Sequence, residues 1–184
     1  EYIVPICQTT QSIAAALFNI PEQPLQFPGD VETKRSEDSL MAYSWYQFMK
    51  SGDYHWPVLF PMVKASVRGM DTITSVVKSV FGHDIETFTL FGASKRAWTA
   101  WLTAAVETKR VKHLIPIVID LLNMDSVFKH IHNSKCGWPE AMKDYEKMGV
   151  LELLGQPEFD SLIQLIDPYQ YVNRLAHMPK VIIN

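Results

Sequence analysis

The chain has 184 residues, 47% of them hydrophobic and 20% charged, enough for one domain with a sizeable core. A formal net charge of −3 and a pI of about 6.1 argue against electrostatic binding to nucleic acid or to an anionic membrane. No apolar stretch approaches the roughly 20 residues that span a bilayer, and two cysteines, Cys7 and Cys136, are too few for a disulfide framework.

In chain order, residues 1–9 read as the end of a helix. Residues 12–20 form an apolar run closed by Pro21, the pattern of a buried strand. Residues 21–30 hold three prolines and one glycine, which is loop chemistry. Residues 37–50 read as a helix stopped by Gly52. Pro57 opens a longer one. Its apolar positions Leu59, Met62, Val63, Val67, Met70, Ile73, Val77 and Val80 recur at helical spacing, and Gly82 ends it.

Residues 86–91 are a compact β-rich run. Residues 94–108 read as a helix, because Ala97, Ala100, Leu102, Ala104 and Ala105 outweigh the weaker Trp98, Thr99 and Thr103. Residues 113–119 are another buried strand pattern, with Asp120 at its end. Residues 121–178 read as several short helices, and residues 180–183 as a last strand. This alternation predicts an α/β fold, a parallel sheet with helices on its faces. Function in such sheets sits at the carboxyl ends of the strands.

The strongest chemical feature is the strand that runs into Gly92-Ala93-Ser94 and turns at once into a helix. A nucleophile elbow has this layout. The tight turn lifts the serine hydroxyl off the sheet, and the helix N-terminus behind it favours developing negative charge. Ser94 is the candidate nucleophile. The backbone N–H of Lys95 is the candidate oxyanion donor. The pattern departs from G-x-S-x-G, since its fifth position is Arg96. A competing reading makes Ser94 a plain helix N-cap.

Other candidates are weaker. His130-Ile131-His132 with Cys136 offers zinc-type ligands but no evident fourth, so neither metal nor cofactor is expected. Lys95 and Arg96 could bind an anionic substrate, although a structural ion pair is the better reading of Arg96. Trp98 and Trp101 read as core, and the run from Lys109 to Lys112 as a solvated helix end. The two cysteines read as unpaired and mostly buried. The aromatics Phe128, Trp138, Tyr145, Phe159, Tyr169 and Tyr171 suit either an apolar pocket or ordinary packing.

The segment from Phe91 to Val106 resembles the PhoPQ-activated pathogenicity-related family, which also takes in autocrine proliferation repressor proteins. The family carries G-A-S-K-R-G-W-T-x-W-L at its elbow, against Gly92-Ala93-Ser94-Lys95-Arg96-Ala97-Trp98-Thr99-Ala100-Trp101-Leu102 here. Ile20-Pro21-Glu22-Gln23-Pro24-Leu25 and Ser36-Glu37-Asp38-Ser39-Leu40-Met41-Ala42 resemble it too. So do Trp56-Pro57 with Pro61-Met62-Val63-Lys64, then Pro116-Ile117-Val118-Ile119-Asp120, and Asp167-Pro168-Tyr169. The family's usual Gly after Lys-Arg is Ala97, and its usual Asn in the proline loop is Glu22.

The resemblance implies an α/β-hydrolase fold in a secreted or periplasmic protein. The chain is then the central part of one such domain, with residues 121–178 a helical cap insertion. Its opening Glu1-Tyr2-Ile3, without Met or a basic leader, and its ending Val181-Ile182-Ile183-Asn184 both read as cuts in a longer protein. A triad in this fold runs nucleophile, acid, histidine. Its acid and histidine are expected beyond Asn184, with Asp120 an alternative acid at the end of the next strand. The expected function is ester or amide hydrolysis on a small-molecule or peptide substrate, incomplete in this piece. The alternatives are a signalling or interaction protein with a protein partner, and a structural subunit.

Overall fold

Two parallel strands and the helix between them hold the centre of the computed structural model, which describes residues 3–32 and 34–184. Helix α1 spans Ile3–Thr10, α2 Glu37–Ser51 and α3 Leu59–Phe81. Strand β1 (Phe88–Ala93) leads into α4 (Lys95–Val106), and β2 (Val111–Ile117) follows. Then come α5 (Met124–Lys135), α6 (Lys143–Lys147), α7 (Pro157–Ile166) and α8 (Val172–Leu175), with single 3-10 turns between them. The protein is thus a mixed α/β structure with a small parallel sheet flanked by helices. Among the described residues, no helix is long and apolar enough to cross a membrane.

The helix ends follow local chemistry. Gly52 and Gly82 close α2 and α3 in the left-handed conformation that glycine adopts without strain. In α4, all residues from Ala97 to Ala105 are buried. A helix with no solvent face belongs in a core. Its two sides meet two apolar clusters. Trp98 and Leu102 join Leu40, Trp45, Met62, Phe128 and Phe159 in one. Ala100, Trp101 and Ala104 meet Met70, Val111, Leu114 and Leu175 in the other. Trp98 also donates from Nε1 to the Ile166 carbonyl at 2.6 Å, so its polar edge is satisfied inside the core.

The sheet register pairs Leu90 with Leu114 and Ala93 with Ile117. Along β1, Phe88, Leu90 and Gly92 turn toward the helices, whereas Thr89, Phe91 and Ala93 are exposed. The stretch 180–183 runs parallel to the far edge of β2 through bridges at Lys180 and Ile183, a fragmentary third strand.

Several expectations need correction. Residues 12–20 form no strand: they are irregular and mostly exposed, with Leu17 lying over Gly69 of α3. An apolar run makes a strand only where a neighbouring strand takes its backbone groups. The strand expected at 113–119 starts instead at Val111, which is fully buried, and stops before Val118, whose φ is +47°. The expected solvated run around Arg110 is also anchored. Arg110 pairs with Asp71 at 2.6 Å and with Glu107 at 2.9 Å. Cys7 and Cys136 are both free, but Cys136 is exposed at the end of α5, not buried. Glu1 and Tyr2, in the helix expected over 1–9, lie outside the described residues.

Candidate functional site

One residue separates β1 from α4. That residue is Ser94, and its backbone sits at φ 53°, ψ −126°. This conformation is costly for any side chain with a Cβ, and strain of this kind gathers at functional sites. The strand side is fixed by the Ser94 N–H, which donates to the Ile117 carbonyl at 2.9 Å. The helix side is fixed by the Trp98 N–H, which donates to the Ser94 carbonyl at 3.0 Å.

Close packing explains the small residues before it. A Cβ on Gly92 would lie 2.7 Å from the backbone carbon and oxygen of Arg96 and 3.0 Å from the Ala97 nitrogen. Backbone atoms cannot swing aside, so glycine is required at this point of the turn.

The Ser94 side chain is exposed and makes no capping hydrogen bond. The helix-cap reading of this serine is therefore set aside. The Lys95 N–H belongs to the first helical residue and has no intrahelical acceptor. An exposed hydroxyl beside a free N–H at a helix N-terminus is an arrangement that can take developing negative charge.

The side chains of Lys95 and Arg96 turn toward the start of α2. Lys95 Nζ lies 2.9 Å from Asp38 Oδ2 and 3.3 Å from Glu37 Oε2, and Arg96 Nη1 lies 2.8 Å from Glu37 Oε2. Both cations are thus engaged within the protein. Gln23 holds Glu37 from the other side: its amide donates to Glu37 Oε1, and its carbonyl accepts the Glu37 N–H at 2.9 Å. The Tyr145 hydroxyl donates to Asp38 Oδ1 at 3.0 Å. The Arg96 hydrogen bond, helped by Gln23, holds the Glu37 carboxyl down at about 2 against the opposing pull of partial burial. Burial, then the charge of Asp38, pushes the Tyr145 phenol well above its usual value.

These partners were not foreseen. Glu37 and Asp38 lay at the start of an expected helix, and Gln23 in an expected loop. The signal lay in the charge patterns of two segments far apart in the chain.

Asp120 follows β2 and is exposed. A buried acid stands farther on. Asp167, 1% exposed, accepts the N–H groups of Met124 and Tyr169, each at 2.8 Å, and of Asn123 at 3.3 Å. Burial raises its pKa despite those three donors. Its motif was visible in the sequence, but its role as anchor of the loop after β2 was not.

Among the described residues, no three His, Cys, Asp or Glu side chains gather closely enough to hold a metal ion. His132 packs on Trp138 with ring centroids 4.9 Å apart, beside an open cavity of about 320 Å³. Of the aromatics beyond residue 121, Phe128, Tyr145 and Phe159 are buried in the core, whereas Tyr169 is 49% exposed.

A sequence model of the PhoPQ-activated pathogenicity-related proteins matches residues 1–184. The chain is also 36% identical over 170 residues to autocrine proliferation repressor protein A of Dictyostelium discoideum. The match covers 92% of this chain and 34% of that relative, so the chain spans about a third of the relative's length. No solved structure matches it. From the elbow at Ser94 to the whole-length family match, the chain belongs to the PhoPQ-activated pathogenicity-related protein family.

Proposed function

We propose that Ser94 is the nucleophile of a serine-hydrolase-type site in the longer protein of which this chain forms a part. The observation that carries the proposal is the strained backbone of Ser94, φ 53° and ψ −126°, in a one-residue strand-to-helix turn with the hydroxyl exposed. In this reading the hydroxyl attacks an ester or amide carbonyl. The Lys95 N–H donates to the oxyanion that forms. The leaving group departs with a proton carried by a general base, and water releases the acyl group.

The acid and histidine are supplied by the longer protein, with Asp120 as the alternative acid within this chain. The α/β-hydrolase arrangement, with residues 121–178 as its cap, and a secreted or periplasmic setting belong to the same proposal. They are supported by family membership, the parallel sheet and the serine at a strand's carboxyl end.

The name of the Dictyostelium relative favours a second reading, a secreted signal on the same scaffold that performs no hydrolysis. One measurement separates the two. The full-length protein is treated with a fluorophosphonate probe, with Ser94→Ala as control. Labelling that disappears in the variant is expected. An unlabelled, correctly folded wild-type protein would exclude the hydrolase reading and leave the signalling one.

A further inference from the structure

The first turn of α4 is electrostatically inverted. A helix N-terminus carries partial positive charge and is suited by acidic side chains. Here it begins with Lys95 and Arg96, and its first turn holds no acid. The Lys95 side chain is only 13% exposed, and a largely buried ammonium is stable only with partners. The partners come from the start of another helix, α2, where Glu37 and Asp38 stand in the first turn.

Both carboxylates are engaged on both oxygens. Glu37 takes Gln23 on Oε1 and Arg96 on Oε2, while Asp38 takes Tyr145 on Oδ1 and Lys95 on Oδ2. Such double engagement fixes their rotamers. Strained backbone persists only where its surroundings over-determine it, and the strained residue here adjoins Lys95 directly.

The geometry points to Glu37 and Asp38 as positioning residues for the Ser94 turn. By gripping Lys95 and Arg96, they hold the turn in its strained shape and keep the Lys95 N–H aimed outward. They act through those two side chains. In its catalytic aspect the inference rests on Ser94 being a nucleophile.

The test uses the full-length protein with Glu37→Gln and Asp38→Asn. Asn at position 38 keeps an acceptor for Tyr145, which makes it the variant that spares the fold. An uncharged fluorophosphonate probe is expected to label both variants about tenfold more slowly. The loss falls in the maximal labelling rate, with probe affinity unchanged. Amide exchange over residues 94–98 is expected to accelerate about threefold, and elsewhere to stay as in wild type. Unchanged labelling and unchanged exchange in both variants overturn the inference. So does exchange that rises evenly across the protein with a falling thermal midpoint, since that marks general destabilisation. If wild type takes no label, the hydrolase reading fails by itself. The exchange arm then decides alone: acceleration confined to 94–98 supports the grip, and its absence overturns it.

Discussion

The carboxyl ends of β1 and β2 open onto two very different crossings. From β1 the chain reaches α4 through Ser94 alone, whereas from β2 it takes residues 118–123 to reach α5. Both use non-glycine residues at positive φ: Ser94 in the first, Val118 and Asn123 in the second. What differs is the fate of the helix N–H groups. At α5 the buried carboxylate of Asp167 takes the N–H groups of Asn123 and Met124. At α4 the nearby carboxylates are drawn to the side chains of Lys95 and Arg96, and the Lys95 N–H is left without a partner inside the helix. At α5 the first helical N–H is thus already taken by the protein's own acid. The inverted charges at α4 leave its donors open.

Substitutions in the full-length protein can break this comparison. The largest effect is expected at Gly92. An alanine there would drive its Cβ against the Arg96 backbone, at a cost of about 3 kcal/mol. Urea unfolding measures it, and a loss below about 1 kcal/mol would show that the first crossing is not closely packed. Asp167→Ala comes next. Three backbone donors lose their acceptor, but the longer crossing can relax and admit water, so about 2 kcal/mol is expected. If this variant proved costlier than Gly92→Ala, the second crossing would be the more rigid of the two.

The smallest effect concerns Glu37. Its carboxyl sits at about 2 in the fold against an ordinary 4.5, chiefly through Arg96. The stabilisation from that pairing is full above about pH 4.5 and is lost as pH falls toward 2. The side chain is 44% exposed, so solvent screening keeps the contribution below about 1 kcal/mol. Thermal midpoints of wild type and Glu37→Gln should differ above pH 4.5 and converge toward pH 2. Parallel curves across that window would remove the pairing from the account.

What could be read from the sequence was local. Strand, small residues, serine and helix formers adjoin one another around Ser94, so the turn showed itself. The long helix α3 announced itself through its apolar spacing and Gly82. The failures share a cause. Residues 12–20 carry a strand's composition, but pairing partners are not encoded in composition. The grip on the elbow joins Asp38 to Lys95 across 57 residues and Glu37 to Arg96 across 59, so no window around either segment contains it. The ion pair of Arg96 was foreseen, but not its partner. Asp167 was visible as part of a motif, while its burial against the start of α5 depends on how the late helices fold back.

One consequence follows from the burial of every residue between Ala97 and Ala105. A helix with a wet side tolerates drift there while its dry side is conserved by packing. This one has no wet side, so volume changes anywhere along it are felt by neighbours. Substitution within α4 itself is therefore closely constrained. Changes of shape around Ser94 fall to the segments that surround the turn, while the rod beneath it stays as it is.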